Sequence, residues 1–415
     1  MTRIWSDALR LAMAELQLEE VTRVHPDGSV VVARLTLDAR DGELLAVVGP
    51  SGSGKSTTLR LIAGLEPVTS GTITIGGRVV NGLQPHERNV AMVFEGDSLY
   101  PHLTAGGNLR FGLEMGRVPK PEIDLRVQAE SRALGVARLL GRMPWSLSAG
   151  QRQRVAVGRA TVRVPDVFLL DEPLTHLDAA RRDRLRQELS SLQRGMGITT
   201  VYVTHDQAQA MAVGDRIAVL RRGRLEQIDT PRALYRRPDN TFVASFLGSP
   251  GMSLLPATIE RDTEGTWIGV AGQRLRFPGQ PAGALRRYVG RPVVIGLRPE
   301  HVTAARGPAA PGHAGPAGGE DARAARLARQ RLRLTATRVE HLGPELLVTC
   351  GVDAPAVVVH DAGADPLLLS EGATLQARFP AHSAVRRGDP VDVEVEMAEL
   401  TYFDPATGAA LWHPL

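Results

Sequence analysis

Residues 49–56 read Gly-Pro-Ser-Gly-Ser-Gly-Lys-Ser, the spacing G-x-x-x-x-G-K-[ST]. Lys55 is one of only two lysines in a chain that otherwise carries its positive charge on arginine. The residue types suit one task. Gly49, Gly52 and Gly54, with Pro50, Ser51 and Ser53 between them, let the backbone curl until successive N–H groups point at phosphate oxygens. A helix that starts at Lys55, Ser56 and Thr57 adds the partial positive charge of its N-terminus. The Lys55 ammonium then meets the terminal phosphates of a nucleotide, and the Ser56 hydroxyl meets Mg²⁺. A planar guanidinium does not replace that point charge, which accounts for a lysine in an arginine-rich chain.

A second pair of groups follows in "VFLLDEP" (167–173), where four apolar residues deliver Asp171 and Glu172 to the end of a buried strand. Asp171 suits Mg²⁺, through water, and Glu172 suits a base for a hydrolytic water. An acidic strand end facing solvent is the plainer alternative, and a phosphate loop upstream disfavours it.

The elements that must position these groups are legible in outline. "LLAVVG" (44–49) and "VFLLD" (167–171) are apolar runs without alternation, as expected of strands covered on both faces; "TTVYVTH" (199–205) and "RIAVLRRGRL" (216–225) add further strands. Helical stretches are predicted at 55–64, 124–140, 150–163, 179–194 and 206–213. That rhythm predicts an α/β domain on a mainly parallel sheet. After residue 250 the texture changes to short strands and turns, over 254–303 and 331–415. Between them, 304–330 is rich in Pro, Gly and Ala and is expected to be a disordered insertion, with room for a short helix from Glu320 to Gln330. The expected domains are a tail at 1–12, a nucleotide-binding domain at 13–248 and a β-rich domain at 249–415. Met13 is an alternative start, and the tail reads as a non-native extension rather than an anchor.

Composition narrows the partners. A formal charge of +4 over 415 residues is weak support for nucleic acid, and none is expected as a partner. The single Cys350 rules out an internal disulfide framework. No apolar run approaches the ~20 residues of a membrane helix, so work at a membrane must go through partner chains.

Between the phosphate loop and the acidic strand stands "LSAGQRQRVAVGRA" (147–160). In this order, the three elements resemble the ATP-binding subunit of ABC transporters. The family signature corresponds to Leu147, Ser148, Ala149, Gly150 and Gln151, and Ser148 can cap a helix whose amides point at phosphate. The resemblance implies that two copies face each other, each ATP being clamped between one P-loop and the other copy's signature. "LTHLD" (174–178) resembles the D-loop, ending in Asp178, and "VTHDQAQAM" (203–211) the switch segment, in which His205 would contact the γ-phosphate. Segments 229–252, 295–302 and 403–411 are similar to the subfamily that powers carbohydrate importers of the maltose, trehalose and glycerol-phosphate type; importers of polyamines or iron share parts of them. The fold implied is an ABC-type P-loop domain followed by a mainly β, OB-like (TOBE-type) regulatory domain. The implied cofactors are ATP and Mg²⁺. The implied partners are a second copy, two transmembrane permease subunits and, indirectly, an extracytoplasmic solute-binding protein. The implied location is the cytoplasmic face of the inner membrane.

Three positions depart from the family pattern. Glu95 stands where a glutamine normally reaches Mg²⁺ and the attacking water; it can ligate the metal but adds negative charge near phosphate. His25 stands where a larger aromatic ring normally stacks on adenine. Ala149 replaces the first signature glycine. These departures motivate a second reading, an ATP-binding regulatory module with weak hydrolysis. Gly106 and Gly107 in "SLYPHLTAGGNLRFGL" (98–113) read equally as a flexible loop or as part of a groove for a permease. A chromosome-maintenance ATPase is strongly disfavoured, because only about ninety residues separate Ser56 from Ser148 and they hold no sustained heptads.

Overall fold

The computed structural model describes residues 14–94, 99–173, 191, 193–305, 329–357, 359 and 372–411. The chain divides into two compact units, Met1–Leu234 and Tyr235–Leu415.

In the first unit the strands are β1 (Leu16–Val24), β2 (Val30–Ala39), β3 (Leu44–Val48), β4 (Ser70–Ile75), β5 (Arg78–Val79), β6 (Val90–Val93), β7 (Val167–Asp171), β8 (Thr199–Val203), β9 (Arg216–Arg221) and β10 (Arg224–Asp229). The helices are α1 (Lys55–Ala63), α2 (Ala105–Met115), α3 (Lys120–Ala133), α4 (Ala149–Thr161), α5 (Gln207–Val213) and α6 (Pro231–Arg236), the last running across the division. A six-stranded sheet has the order β10-β9-β3-β8-β7-β6. Five of its strands are parallel, and β10 closes the edge antiparallel to β9. Every residue of β3, β7 and β8 is buried, which is why these runs show no alternation. Val201 and Val203 join one core with Leu45, Val47, Leu59 and Leu220, while Tyr202 joins the other with Phe168, Leu170, Leu109 and Val157. A separate antiparallel sheet, β2-β1-β4-β5, lies over the first core.

The segment around Gly106 and Gly107 is helical, not a flexible loop. Thr104 caps α2 by accepting a hydrogen bond from Gly107 N–H at 3.0 Å. The buried Asn108 side chain takes the N–H and C=O of Tyr100 and the C=O of Leu103, tying the approach to the helix. Packing is tight at Gly106: its N–H donates to Leu140 O at 2.8 Å, and a Cβ there would stand 3.0 Å from the same oxygen. The helix predicted over 124–140 stops at Ala133, and a 3-10 turn at Ala137–Leu139 follows. The helix predicted over 179–194 falls mostly outside the described residues.

Between α3 and α4, Glu130 accepts a hydrogen bond from the Thr161 hydroxyl. Burial pushes its carboxyl above the ordinary glutamate value of 4.5, against the lowering effect of Thr161. The folded chain therefore holds a proton that the unfolded chain releases, so Glu130 supports the fold below the unfolded value, and that support is lost as pH rises through the folded one. Glu130→Gln keeps an acceptor for Thr161 without the charge. Raising the pH from about 5 to about 8 should lower the unfolding midpoint of the parent relative to this variant, as followed by thermal melts. Parallel curves would contradict the assignment.

The second unit holds helix α7 (Thr241–Phe246) and strands β11 (Ser253–Asp262), β12 (Gly265–Val270), β13 (Gln273–Arg276), β14 (Pro292–Leu297), β15 (Val302–Ala304), β16 (Arg329–His341), β17 (Glu345–Val352), β18 (Ala373–Pro380), β19 (Pro390–Glu396) and β20 (Thr401–Phe403). Five form an antiparallel sheet, β13-β12-β11-β14-β20, and five a closed barrel, β15-β18-β17-β16-β19. One core runs through both, with Leu255, Ile259, Ile268 and Val293 from the sheet and Leu332, Val348, Leu375 and Val393 from the barrel. Compactness divides the chain earlier than the expected 248/249. The reason lies in α7: Thr241 N–H donates to Gly408 O at 2.9 Å, and Ala244 packs with Met252, Val294 and Phe403.

The expected insertion 304–330 is trimmed at both ends, because Ala304 closes β15 and Arg329 and Gln330 open β16. The Gln330 carboxamide accepts from Arg276 N–H and donates to Arg276 O, and Gln273 makes the same pair of bonds to Arg333. These side chains stand in for a strand ladder and fix the start of β16. Residues 306–328, with most of the optional helix, lie outside the described residues.

Candidate active site

The phosphate loop lies between β3 and α1. Gly52 and Gly54 have φ of 76° and 93°, values that favour glycine. At Gly49 a Cβ would stand 2.2 Å from Leu220 O and 2.6 Å from Ser53 Oγ, so a side chain there would fill the cradle. Lys55 is 7% exposed, and its Nζ donates to Gly49 O and Pro50 O, each at 2.9 Å. Burial holds this ammonium below the usual lysine value, while the carboxylates of Glu172 and Asp171 pull it back toward the charged form. The arrangement is a buried cation resting on its own loop's carbonyls at the start of a helix, where an anion is favoured.

Two neighbours complete the cation side. Ser56 Oγ donates to Asp171 Oδ1 at 2.9 Å, so a hydroxyl and a buried carboxylate converge from α1 and β7. Oxygen donors of this kind fit a small hard cation such as Mg²⁺. Glu172 follows with φ of 46°, a left-handed conformation that is strained for a glutamate and is fixed by its N–H donating to Val203 O at 3.0 Å. That backbone turn directs the carboxylate to the loop after β8, where Glu172 Oε2 lies 2.7 Å from His205 Nδ1. The sequence-predicted residues Lys55, Ser56, Asp171, Glu172 and His205 thus come together at the carboxyl ends of β3, β7 and β8.

The signature residues form a capped helix start of their own. Ser148 Oγ accepts from Gln151 N–H at 3.3 Å, and Gln151 Oε1 accepts from Ser148 N–H at 2.9 Å, a reciprocal cap at the start of α4. Ala149 and Gly150 form the first turn behind it, both half-buried. The hydrogen bonds of Ser148 stay within this helix start and do not reach the P-loop. His25 sits in the β1–β2 turn, half-buried, its N–H donating to Ser29 O at 2.9 Å. Glu95 and Asp178 lie outside the described residues.

Two supports were missed by sequence reasoning. The turn between β9 and β10 underlies the P-loop: Gly223 N–H donates to Ser53 O at 3.0 Å, and Ala33 N–H donates to Gly223 O at 2.8 Å. A Cβ on Gly223 would meet Val31 O at 2.3 Å, and that glycine after a strand run was the available signal. At the far end of α1, the buried Arg88 guanidinium donates to Leu61 O, Ile62 O, Leu83 O and Asn81 O. A cation there suits the helix C-terminus, and nothing local in "PHERN" marks it.

Comparison with known proteins agrees with this geometry. The ABC transporter family model matches residues 32–175, and the MalK OB fold domain model matches residues 248–302. The chain is 42% identical over 399 residues to the sn-glycerol-3-phosphate import ATP-binding protein UgpC of Cereibacter sphaeroides, covering 96% of this chain and 100% of that one. It is 41% identical over 412 residues to the trehalose/maltose import ATP-binding protein MalK of Thermococcus litoralis, with coverage of 96% and 100%. Among solved structures, cbiO1 from Clostridium perfringens, part of the ABC transporter complex cbiONQ, superposes with a TM-score of 0.51 at 26% identity, over 54% of this chain and 90% of that one. The chain belongs to the ABC transporter family, as an ATP-binding protein whose nucleotide-binding unit is followed by an OB-fold unit of the MalK type.

Proposed function

We propose that this chain is the ATP-hydrolysing subunit of an importer for a carbohydrate or related solute, working as two copies on two permease subunits. The observation that carries the reading is the convergence of Lys55, Ser56, Asp171, Glu172 and His205 beside a glycine cradle. Support for the solute class comes from relatives named for glycerol 3-phosphate and for trehalose and maltose import. Among the described residues no helix is long and apolar enough to cross a membrane, in keeping with attachment through permeases at the cytoplasmic face, which receive solute from an extracytoplasmic binding protein.

In the reaction, Lys55 exchanges the Gly49 and Pro50 carbonyls for the terminal phosphates, and loop amides hold the remaining oxygens. Ser56 and Asp171, with Glu95, would hold Mg²⁺, which would supply positive charge to offset that of the phosphates. Glu172 takes a proton from the attacking water, and His205, held at 2.7 Å from it, orients that carboxylate toward the γ-phosphate. His25 covers the adenine. Ser148, Ala149, Gly150 and Gln151 of the second copy close the far side, with Asp178 next to them. The Ser148 oxygen accepts from its own helix, so its proton remains to be donated to phosphate.

Co-purification tests the assignment. The tagged chain should carry two permease subunits with it. Loss of its gene should abolish uptake of labelled glycerol 3-phosphate, trehalose or maltose. Normal uptake of all three, with loss of polyamine or iron uptake, would replace the solute class.

A further inference from the structure

The loop after β8 carries His205 between two residues that close on one glutamine. Gln209, 5% exposed, accepts a hydrogen bond from the Tyr202 hydroxyl at 2.8 Å and donates from Nε2 to Asp206 Oδ2 at 2.9 Å. Its N–H donates to Asp206 Oδ1 at 3.0 Å. Asp206 N–H donates to Thr204 Oγ1 at 3.0 Å, and that hydroxyl lies 3.5 Å from Gln209 Oε1. Thr204 N–H donates to Val47 O at 3.2 Å, on the strand that enters the P-loop. Tyr202 and Thr204 are 2% and 3% exposed, while the His205 side chain is 55% exposed. A buried polar ring therefore holds both flanks of one outward-facing imidazole.

We propose that Gln209 is a positioning residue for ATP hydrolysis: with Tyr202, Thr204 and Asp206 it fixes the backbone on both sides of His205 and so keeps Nδ1 on Glu172. The inference rests on the ATPase reading above. A carboxamide is suited to the place, because one end accepts from Tyr202 while the other donates to a carboxylate. Leucine at 209 has neither group, and it leaves the Tyr202 hydroxyl and the Asp206 carboxylate facing an apolar side chain. The loop then shifts to satisfy them with water. A displacement of a fraction of an ångström at Thr204 or Asp206 is enough to break a 2.7 Å contact at His205.

Two variants and two readouts on the full chain test this. Gln209→Leu should lower kcat for ATP about tenfold while KM for ATP stays within about twofold, since the ring touches the base's partner and not the phosphate cradle. Tyr202→Phe, the gentler change, should lower kcat in the same direction, and the double variant should lose less than the product of the two. With ¹⁵N-labelled histidine, the Nδ1 signal of His205, assigned with a His205→Ala variant, should lose its hydrogen-bonded shift in both single variants. Parental kcat in the folded variants overturns the proposal, as does a lower kcat with an unmoved His205 signal. The nitrogen signal is read without turnover, so a parent that failed to split ATP would remove the ATPase reading and leave the positioning role separately decided.

Discussion

Lys55→Ala should lose at least about a hundredfold in affinity for ATP, measured by titration calorimetry with Mg²⁺ present. A unit charge about 3 Å from a phosphate oxygen contributes on the order of 5 kcal/mol at an effective dielectric constant near 20, and even half of that is close to a factor of a hundred. No other described side chain replaces it. Ser53 and Ser56 are neutral, and the nearest ionised groups, Asp171 and Glu172, have the wrong sign. The fold should survive the change. Burial already disfavours the Lys55 charge, so the variant removes a desolvation cost along with the bonds to Gly49 O and Pro50 O. Lys55→Arg should fail as well, because a forked guanidinium does not fit on two converging carbonyls at the bottom of a glycine cradle. An unfolded variant would show in its melt; a folded variant with parental affinity would refute the phosphate site.

Glu172→Gln should separate binding from cleavage. Phosphate release should fall by about 10²–10⁴-fold, the span of a lost general base. ATP affinity should hold or rise, because a negative charge beside the triphosphate is gone. Glutamine retains an oxygen for the contact that Glu172 Oε2 makes with His205 Nδ1, so the loop geometry persists and the loss reports proton transfer. Turnover at the parental rate in this variant would assign the base elsewhere.

Much of this site was legible because its parts are local. The P-loop is eight consecutive residues, and the acidic strand is four buried apolar residues followed by two carboxylates; in both, a short unbroken apolar run marks the strand whose end carries the chemistry. The antiparallel sheet of β1, β2, β4 and β5 was not legible, since β1 pairs with β4 across the intervening β2, β3 and α1, and its registers with both β2 and β4 are interrupted. Helix α2 was hidden by two glycines of low helix propensity, and it forms because Asn108 and the Leu140 carbonyl hold its first turn. The insertion was read too long because composition does not reveal the bonds by which Gln330 fixes β16 to Arg276. The ring around Gln209 escaped notice for a related reason. Its members are seven residues apart or fewer, but only the turn between β8 and α5 points them at one another.

The proposed use of two copies around each nucleotide is tested most directly by the mass of the trapped state. Native mass spectrometry of Glu172→Gln with Mg²⁺ and ATP should show two chains holding two ATP, reverting to single chains without nucleotide or after Ser148→Arg. A single chain that carries ATP under all these conditions would contradict the account.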